Sequence, residues 1–416
     1  MTLKRVVVTG LGALTPIGNS VQEYWESLVA GKSGADFITR FDATNFKTRF
    51  ACEVKNFDPT SVIDKKEVRR MDAFLHYAIA AVDEAVKDAG ITKENTDYKR
   101  VGVLWASGIG GIKTFEEEVT NYVKGDGTPR FNPFFIPKMI SDIAAGMISI
   151  RYGFMGPNFA IVSACASSTH ALITALDTIR LGRADLVVAG GSEAAVTAPG
   201  IGGFNAMKAL SERNDSPQTA SRPFDLERDG FVLGEGAGAI ILEEYEHAIK
   251  RGATIYAELA GGGMTADAFH MTAPHPEGLG VTLVMNEALK DANMQADAID
   301  YVNVHGTSTP IGDPQEVQAI QNVFGEHAYK MNISSTKSMT GHLLGAAGAI
   351  EAIASILALK YGVVPPTINH FTDDPAFDPK LNLTFNTAQT REMNAVLSNT
   401  FGFGGHNASV IFKKLG

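Results

Sequence analysis

The chain of 416 residues contains only two cysteines, Cys52 and Cys165. Two thiols are too few for a disulfide framework or for a zinc site built from several cysteines, and such sparse cysteine is typical of a reducing compartment. The first residues, M-T-L-K-R-V-V-V-T-G, also lack the long apolar stretch and small-residue cleavage site of a signal peptide. We therefore expect a cytoplasmic protein, in which Cys52 is structural.

Positive charge and uninterrupted apolar sequence are scarce as well. There are 36 Lys and Arg against 46 Asp and Glu, and the resulting net charge of −10 repels nucleic acid. Residues 152–176 carry no charged side chain, but Gly153, Pro157 and Asn158 interrupt them, which argues against a transmembrane helix. With 45% hydrophobic and 20% charged residues, the composition indicates a globular enzyme with neither a nucleic-acid nor a membrane partner.

The sequence also lacks the common nucleotide and metal motifs. Glycine is abundant, at 42 residues, but no segment has the form G-x-x-x-x-G-K-[ST], and none has G-x-G-x-x-G followed by a suitably spaced acidic residue. His270 and His275 in H-M-T-A-P-H have no neighbouring carboxylates and histidines to complete a metal site. We expect neither a metal nor a bound cofactor.

Short apolar runs alternate with longer helical patterns, which predicts an α/β protein. The predicted strands are residues 6–8, 101–105, 160–162, 186–189, 239–242, 301–304 and 409–412. The predicted helices are residues 72–89, 167–181, 281–292 and 344–361. The segments I-V-S-A-C-A-S-S-T-H-A-L and I-S-S-T-K-S-M-T-G-H-L-L both have a pattern of strand, tight turn and helix. This similarity hints at two similar halves but leaves duplication of the chain open.

Cys165 lies between a predicted strand and a predicted helix. The unpaired N–H groups and the dipole of a helix N-terminus favour the thiolate, which is the nucleophilic form of cysteine. The alternative is a buried, inert cysteine. The small neighbours Ala164, Ala166 and Ser167 leave room for a substrate carbonyl, and the N–H of Cys165 itself is placed to hold an oxyanion. We therefore take Cys165 as the candidate nucleophile.

Two histidines are candidate catalytic groups. His305 in Y-V-N-V-H-G-T-S-T-P follows a predicted strand, where active-site residues of α/β proteins occur. His342 in S-S-T-K-S-M-T-G-H-L-L lies at a strand-to-helix junction, shortly after Lys337. A single histidine beside glycine is more often a core or turn residue. Two of them in stretches with little charge favour a shared, dry site.

These segments, together with R-V-V-V-T-G-L-G, S-R-P-F-D-L-E-R-D-G-F-V-L-G-E-G-A-G and N-T-F-G-F-G-G-H-N, resemble β-ketoacyl-[acyl-carrier-protein] synthases, in order and over essentially the whole chain. Within that family they are similar to the type II enzymes of bacterial fatty-acid synthesis. The resemblance implies the thiolase fold, in which two similar α/β halves, here residues 1–252 and 253–416, form a five-layered αβαβα core. It also implies a homodimer.

The implied reaction is a decarboxylative Claisen condensation that elongates a fatty acyl chain by two carbons. By resemblance, Cys165 takes the acyl chain from an acyl carrier protein, and malonyl-carrier protein is the second substrate. His305 and His342 would stabilise the enolate, and His305 would also orient or deprotonate a water that attacks the released carboxyl. Backbone N–H groups of Cys165 and Phe403 would form the oxyanion hole. Both substrates are carried on phosphopantetheine, so no further cofactor is implied.

The resemblance assigns roles to further residues. Lys337 and Glu351 would fix charge and orientation around His342, and Thr307 and Thr309 would hydrogen-bond the pantetheine arm. Ile109 would gate a pocket for long acyl chains, which Phe204 and Phe403 line or gate. The cations expected to dock the acidic carrier protein are Lys65, Lys66, Arg69, Arg70, Arg130 and Lys208.

Three related classes of protein share parts of this pattern. A degradative thiolase needs a second reactive cysteine late in the chain, and none follows Cys165. A non-catalytic chain-length partner of a polyketide synthase usually lacks the nucleophilic cysteine. A stand-alone type II polyketide ketosynthase has nearly the same motifs, and the A-S-S after Cys165 is similar to that of some of these enzymes. His406 stands where many bacterial members of the family have threonine. The sequence leaves the polyketide alternative open.

Overall fold

The computed structural model describes residues 3–415. The strands within this range are β1 (Val6–Leu14), β2 (Asp36–Phe37), β3 (Phe50–Ala51), β4 (Val101–Ala106), β5 (Asn158–Ile161), β6 (Leu186–Glu193), β7 (Gly236–Glu244), β8 (Ala257–Ala266), β9 (Tyr301–Asn303), β10 (Asn332–Ser334), β11 (Val363–Val364), β12 (Gln389–Thr390), β13 (Ala395–Gly402) and β14 (His406–Lys413). The α-helices are α1 (Val21–Val29), α2 (Lys65–Val68), α3 (Ala73–Asp88), α4 (Ile112–Lys124), α5 (Phe135–Met139), α6 (Ile143–Tyr152), α7 (Ser167–Arg180), α8 (Ala198–Ala206), α9 (Tyr245–Lys250), α10 (Leu279–Asp291), α11 (Gly312–Phe324), α12 (Lys337–Thr340) and α13 (Ala347–Tyr361).

The sheet topology repeats. Five strands of the first half lie in the order β5-β4-β6-β7-β1, and five of the second lie in the order β10-β9-β13-β14-β8. Numbered within its own half, each series is 3-2-4-5-1. In both series the first three strands are parallel and the remaining pairings are antiparallel. The duplication at which the sequence hinted is therefore present in the fold.

The two halves meet edge to edge. Strands β1 and β8 pair through Val7–Glu258 and Val8–Ala257, which joins all ten strands into one sheet. The predicted boundary at residue 252 falls between α9 and β8, and it stays a prediction of where one half ends.

Helices α7 and α13 form the central layer. They contact each other, and each contacts strands of both halves, whereas α3 contacts the outer side of the first half and α10 that of the second. The five-layered αβαβα expectation is thereby confirmed. Gly348 permits the central contact, because a Cβ there would lie 2.0 Å from Thr169 Oγ1. Every residue of α13 from Ala347 to Leu359 is buried.

The segment Leu344–Tyr361 is long and apolar enough to cross a membrane by length and composition alone, but 89% of it is buried inside the fold. It is a core helix, apolar on all sides because the central layer has sheet on both faces.

The predicted strands and helices are all present, with shifted ends. The helix predicted from residue 344 begins as α-helix at Ala347, after a 3₁₀ turn at Leu344–Ala346. Strand β8 was not predicted, because its A-G-G-G-M segment lacks the β-branched residues typical of strands. Those glycines allow α10 to approach the sheet, since a Cβ on Gly263 would lie 2.2 Å from Val284 O.

Candidate active site

Cys165 lies in the tight turn between β5 and α7. Ala164, just before it, has a φ of 49°, in the left-handed region. Ser167 fixes this turn, because its hydroxyl accepts from Ser163 N at 2.8 Å and donates to Ala164 O at 2.6 Å. The turn places the thiol at the N-terminal end of α7, where only 7% of Cys165 is exposed.

The thiol is neutral in the resting structure. Burial raises the pKa of Cys165 to about 12, while the charge of Lys337 and the N–H of Phe403 act in the opposite direction. The sequence predicted that the helix N-terminus would favour the thiolate. Desolvation is the largest influence on this thiol and favours its neutral form, because Cys165 is almost fully buried. The thiolate is therefore a species formed during the reaction.

His305 is held by a carboxylate on α11. Strand β9 ends at Asn303, and the backbone N–H groups of His305 and Gly306 each donate to Glu316 at 2.8 Å. Glu316 is 2% exposed, and burial raises its pKa to about 7 although both N–H groups lower it. The loop after β9 is therefore anchored at its backbone, which leaves the imidazole of His305 free to face the cavity.

His342 is held by the other half of the molecule. Its N–H donates to Val232 O at 2.7 Å, and its carbonyl accepts from Gly234 N at 2.9 Å. The preceding Gly341 has a φ of 66°, and a Cβ there would lie 2.8 Å from Val232 O, so this approach requires glycine. The backbone pairing brings His342 of the second half to Cys165 of the first.

The two imidazole rings meet edge to face. Their centroids are 5.2 Å apart and their planes make an angle of 88°. Burial lowers the pKa of both His305 and His342 well below the usual value, and the nearby Lys337 charge lowers it further. Both rings are therefore neutral at physiological pH, the form in which imidazole offers one N–H donor and one acceptor.

Lys337 provides the positive charge beneath these groups. It is 1% exposed and its ammonium forms an ion pair with Glu351, which is also 1% exposed. Burial raises the pKa of Glu351 to about 7, although Lys337 acts to lower it. The Lys337 charge acts on Cys165, His305 and His342 alike.

A cavity of about 450 Å³ joins the predicted groups. Its lining includes Cys165, Phe204, Lys208, His305, Thr307, Thr309, His342, Leu344 and Phe403. Thr307 Oγ1 and Thr309 Oγ1 are 3.3 Å apart on one wall. Phe204 lies with its ring centroid 5.3 Å from Phe231 and 6.5 Å from Phe403. A thiol, two neutral imidazoles and two hydroxyls thus face one largely apolar space, which suits acyl transfer to and from sulfur.

Comparison with known proteins decides the family. The family described as "Beta-ketoacyl synthase, N-terminal domain" matches residues 3–248, and "Beta-ketoacyl synthase, C-terminal domain" matches residues 256–371. The chain belongs to the beta-ketoacyl synthase family. It is an acyltransferase that elongates acyl chains by Claisen condensation.

Curated relatives of this beta-ketoacyl synthase match it over its full length. Proteins named "3-oxoacyl-[acyl-carrier-protein] synthase 2" are 48% identical in Coxiella burnetii and 50% identical in Vibrio harveyi, each covering 100% of both chains. The protein of that name from Staphylococcus aureus (strain N315) is 50% identical and covers 99% of this chain and 98% of its own.

Solved structures share the fold. A beta-ketoacyl synthase from Burkholderia phymatum superposes with a TM-score of 0.92 at 37% identity, covering 99% of this chain and 100% of its own. A chain of a complex between a type II polyketide synthase acyl-carrier protein and its ketosynthase bound to the hexaketide has a TM-score of 0.91 at 36% identity, with 100% of both chains covered.

Several predicted site residues of this beta-ketoacyl synthase lie outside the cavity lining, among them the buried pair Lys337 and Glu351. Ile109, the predicted gate, is 37% exposed in the single chain. The docking cations Lys65, Lys66, Arg69 and Arg70 lie on and just after α2 and are exposed. Arg70 pairs with Glu67 at 2.7 Å, and Arg130 pairs with Asp126 at 3.3 Å. Of the six cations, only Lys208 lines the cavity.

Two buried carboxylates escaped the sequence analysis. Glu316 anchors the His305 loop, and Glu193 accepts hydrogen bonds beside the cavity. The available signal was weak. Glu193 is an acidic residue at the end of an apolar strand, in L-V-V-A-G-G-S-E, and Glu316 lies on the buried face of a helix. Neither pattern distinguishes a buried carboxylate from an exposed one.

The other singled-out residues do not join the cavity lining. Cys52 is buried, with its pKa raised by burial to about 12. His270 and His275 lie in an exposed loop segment near Phe269. Among residues 3–415, no group of three or more His, Cys, Asp or Glu side chains is arranged to hold a metal ion.

Proposed function

We propose that this chain condenses an acyl group bound to Cys165 with a malonyl group on acyl carrier protein, and so elongates a fatty acyl chain by two carbons. The observation that carries the proposal is the convergence of Cys165, His305 and His342 on one cavity above buried Lys337. The names of the relatives at about 50% identity support the carrier protein as partner.

In the first half-reaction Cys165 sulfur attacks the carbonyl carbon of the acyl-carrier thioester. The new C–S bond forms, the bond to the carrier's sulfur breaks, and the thiol proton leaves with the carrier's thiol. The N–H of Phe403 points at Cys165. Together with the N–H of Cys165 it would stabilise the oxyanion of the tetrahedral intermediate.

In the second half-reaction the malonyl C–C bond to the carboxylate breaks and its electrons form an enolate. Neutral His305 and His342 donate hydrogen bonds to the enolate oxygen, and His305 also orients or deprotonates a water at the released carboxyl. The enolate carbon attacks the acyl carbonyl on Cys165. The C–S bond then breaks and the sulfur of Cys165 leaves as thiolate. The released carboxyl departs as bicarbonate after the water adds to it, and the proton that this water gives up ends on the Cys165 sulfur.

Supporting residues hold this arrangement. The ion pair with Glu351 holds the positive charge of Lys337 near His342. Thr309 Oγ1 accepts from Gly312 N at 3.2 Å, which leaves its own proton for the pantetheine arm, and Thr307 lies beside it. The exposed cations Lys65, Lys66, Arg69, Arg70, Arg130 and Lys208 dock the acidic carrier protein.

The proposed assembly is a homodimer. Strand β5 is the edge of the sheet, and its backbone is unpaired on one side within residues 3–415. Phe159 on this strand is 45% exposed, and Met155 and Val162 beside it are 71% and 58% exposed. A second copy pairing there would cover an edge that otherwise invites aggregation. Light scattering tests this, and a monomer at micromolar concentration contradicts it.

Fatty-acid elongation and polyketide extension are two candidate reactions for this chain. The curated synthases at about 50% identity favour the fatty acyl reading over the polyketide ketosynthases at 36%. Ile109 remains the proposed gate for long chains. We expect the protein to act in the cytoplasm.

The deciding experiment is the intact mass of the protein after incubation with a long-chain acyl-carrier protein and then malonyl-carrier protein, with Cys165→Ala alongside. The expected result is a gain of one acyl group on the wild type alone, discharged to a β-ketoacyl product two carbons longer. Loading of acetyl only favours the polyketide reading. Loading without discharge rules out elongation.

A further inference from the structure

Glu193 is a buried carboxylate that the mechanism above does not use. It ends strand β6, is 0% exposed, and lies opposite Gly236 of β7. Its hydrogen-bond donors within residues 3–415 are three backbone N–H groups and one hydroxyl, all uncharged. Burying a carboxylate without a cation costs folding free energy, so the presence of Glu193 in the core requires an explanation.

The carboxylate joins two turns from different halves of the molecule. Oε2 accepts from Gly108 N at 2.8 Å and from Gly345 N at 3.0 Å. Oε1 accepts from Ile109 N and from Ser107 Oγ, both at 3.2 Å. The Ser107–Ile109 turn follows β4 of the first half. Gly345 belongs to the 3₁₀ turn before α13 of the second half.

The two turns are in direct contact over the carboxylate. A Cβ on Gly345 would lie 2.3 Å from Gly108 N, and a Cβ on Gly108 would lie 2.9 Å from Glu193 Oε2. Leu344, just before Gly345, lines the cavity and has a φ of 48°. His342 is two residues further back along the chain. We call the hydrogen bonds from Gly108 N and Gly345 N to Glu193 the Glu193 clamp. The clamp holds the chain just after His342.

The charge of Glu193 does not help to form the nucleophile. Burial raises the pKa of Glu193 to about 7, although the N–H groups of Gly108, Gly345 and Ile109 lower it. When ionised, it raises the pKa of Cys165 and so opposes the thiolate. Its contribution to the reaction is therefore geometric.

We propose that Glu193 is a positioning residue that holds the Leu344–Gly345 turn, and with it His342, against the Ser107–Ile109 turn. This inference rests on the proposed function, because it assigns Glu193 to the condensation step at His342. The backbone of His342 is fixed to Val232 and Gly234 on one side, and Glu193 fixes the chain on the other.

The variant Glu193→Gln tests the clamp with little change of shape. The amide keeps one accepting oxygen and places an NH₂ donor at the other position, so either Gly108 N and Gly345 N or Ile109 N lose their acceptor. Either loss loosens the contact between the two turns. We expect malonyl-dependent discharge of the acyl-enzyme to slow by about 10-fold to 100-fold, the cost of misplacing a catalytic group by a fraction of an ångström to an ångström. Acylation of Cys165 should change by less than about threefold, because Glu193 accepts no hydrogen bond from the turn of Cys165 and the lost charge favours the thiolate.

Both rates are read from intact mass against time. The matched control is Glu84→Gln, because Glu84 on α3 also accepts only backbone N–H groups, from Ala13 at 2.9 Å and Val21 at 2.8 Å, but lies away from the cavity. The control should leave both rates unchanged. Equal slowing of both half-reactions in Glu193→Gln, or no slowing of discharge, would overturn the positioning role.

Gly345→Ala keeps the proposal testable if Glu193→Gln does not fold. This substitution leaves the carboxylate in place and pushes the two turns apart, so the same selective loss of discharge is expected, and wild-type discharge contradicts the proposal. A wild type that never takes up an acyl group counts against the proposed function instead. Hydrogen exchange at Gly345 N then still reports on the clamp, with faster exchange expected in Glu193→Gln.

Discussion

His305 and His342 come from loops after two different strands of the second half, and their rings meet with centroids 5.2 Å apart. Burial and the Lys337 charge both lower their pKa values, so two neutral imidazoles face the thiol of Cys165. A neutral pair can donate two hydrogen bonds to one developing oxyanion without mutual repulsion. This relationship supplies the geometry for the condensation step.

Replacing the buried cation by Lys337→Met should make Cys165 harder to ionise. Lys337 now lowers the pKa of the thiol against the effect of burial, so its loss raises that pKa further. We expect the pH profile of iodoacetamide alkylation, followed by intact mass, to move to higher pH. Lys360→Met, an exposed site near the end of α13, is the control and should leave the profile in place. An unshifted profile in Lys337→Met contradicts the electrostatic role.

Removing one partner of the Lys337–Glu351 ion pair should lower stability more than replacing both partners with uncharged residues. Glu351→Gln leaves a buried ammonium without its partner, and removing one member of a buried pair typically costs about 3–5 kcal/mol. Urea denaturation should show that loss. The double variant Lys337→Met with Glu351→Gln should recover part of it, because no uncompensated charge remains. A double variant as unstable as the sum of the single ones would show that the pair's partners act independently.

Because the pKa of Glu316 is raised in the fold, the free energy of unfolding should fall as pH rises. Its pKa in the fold is about 7, above the value of about 4.3 in an unfolded chain, so between these values the folded state binds more protons. Stability from this group is then present at low pH and is lost as pH rises towards 7, by up to about 1.4 kcal/mol per pH unit. The opposite contributions of His305 and His342 are common to wild type and Glu316→Gln. The difference between their denaturation curves from pH 5 to 7 therefore isolates Glu316, and parallel curves would contradict its raised pKa.

The contact between the two central helices should not tolerate a methyl group. In Gly348→Ala a Cβ would lie 2.0 Å from Thr169 Oγ1, and overpacking of this kind costs about 1–3 kcal/mol. We expect a lower melting temperature and slower acyl loading, because α7 carries the Cys165 turn. Gly146→Ala on α6 is the control, since nothing lies within 4 Å of a Cβ there, and it should stabilise by about 0.5–1 kcal/mol. Equal stability of Gly348→Ala and wild type would mean that the helices separate without cost.

Reversing two exposed cations should weaken carrier-protein binding without affecting the fold. Lys66 lies on α2 and Arg69 caps it, and opposite charge accelerates association mainly at low ionic strength. Lys66→Glu with Arg69→Glu should lower the affinity for acyl carrier protein by about tenfold at low salt, with a smaller effect at high salt. Lys380→Glu, in an exposed loop, is the control. Unchanged affinity at low salt would remove α2 from the docking surface.

The sequence determined seven of the ten strands of the sheet, the central helices and the candidates Cys165, His305 and His342, because hydrophobic periodicity and strand-to-helix junctions are local properties. Strands β8, β10 and β13 were not predicted. It also hinted at the duplication, through two similar strand-turn-helix segments. It did not reveal the desolvation that raises the pKa of the Cys165 thiol, since the helix N-terminus is visible in the sequence but burial is not.

Only the tertiary structure decided how the two halves build one site. His342 reaches Cys165 because its backbone pairs with residues 232–234, which are far away in sequence. Glu193 and Glu316 look like ordinary acidic residues until the fold surrounds each with backbone N–H donors. The reason is that burial and hydrogen bonding at a site depend on segments from both halves at once, whereas a sequence pattern records only neighbours along the chain.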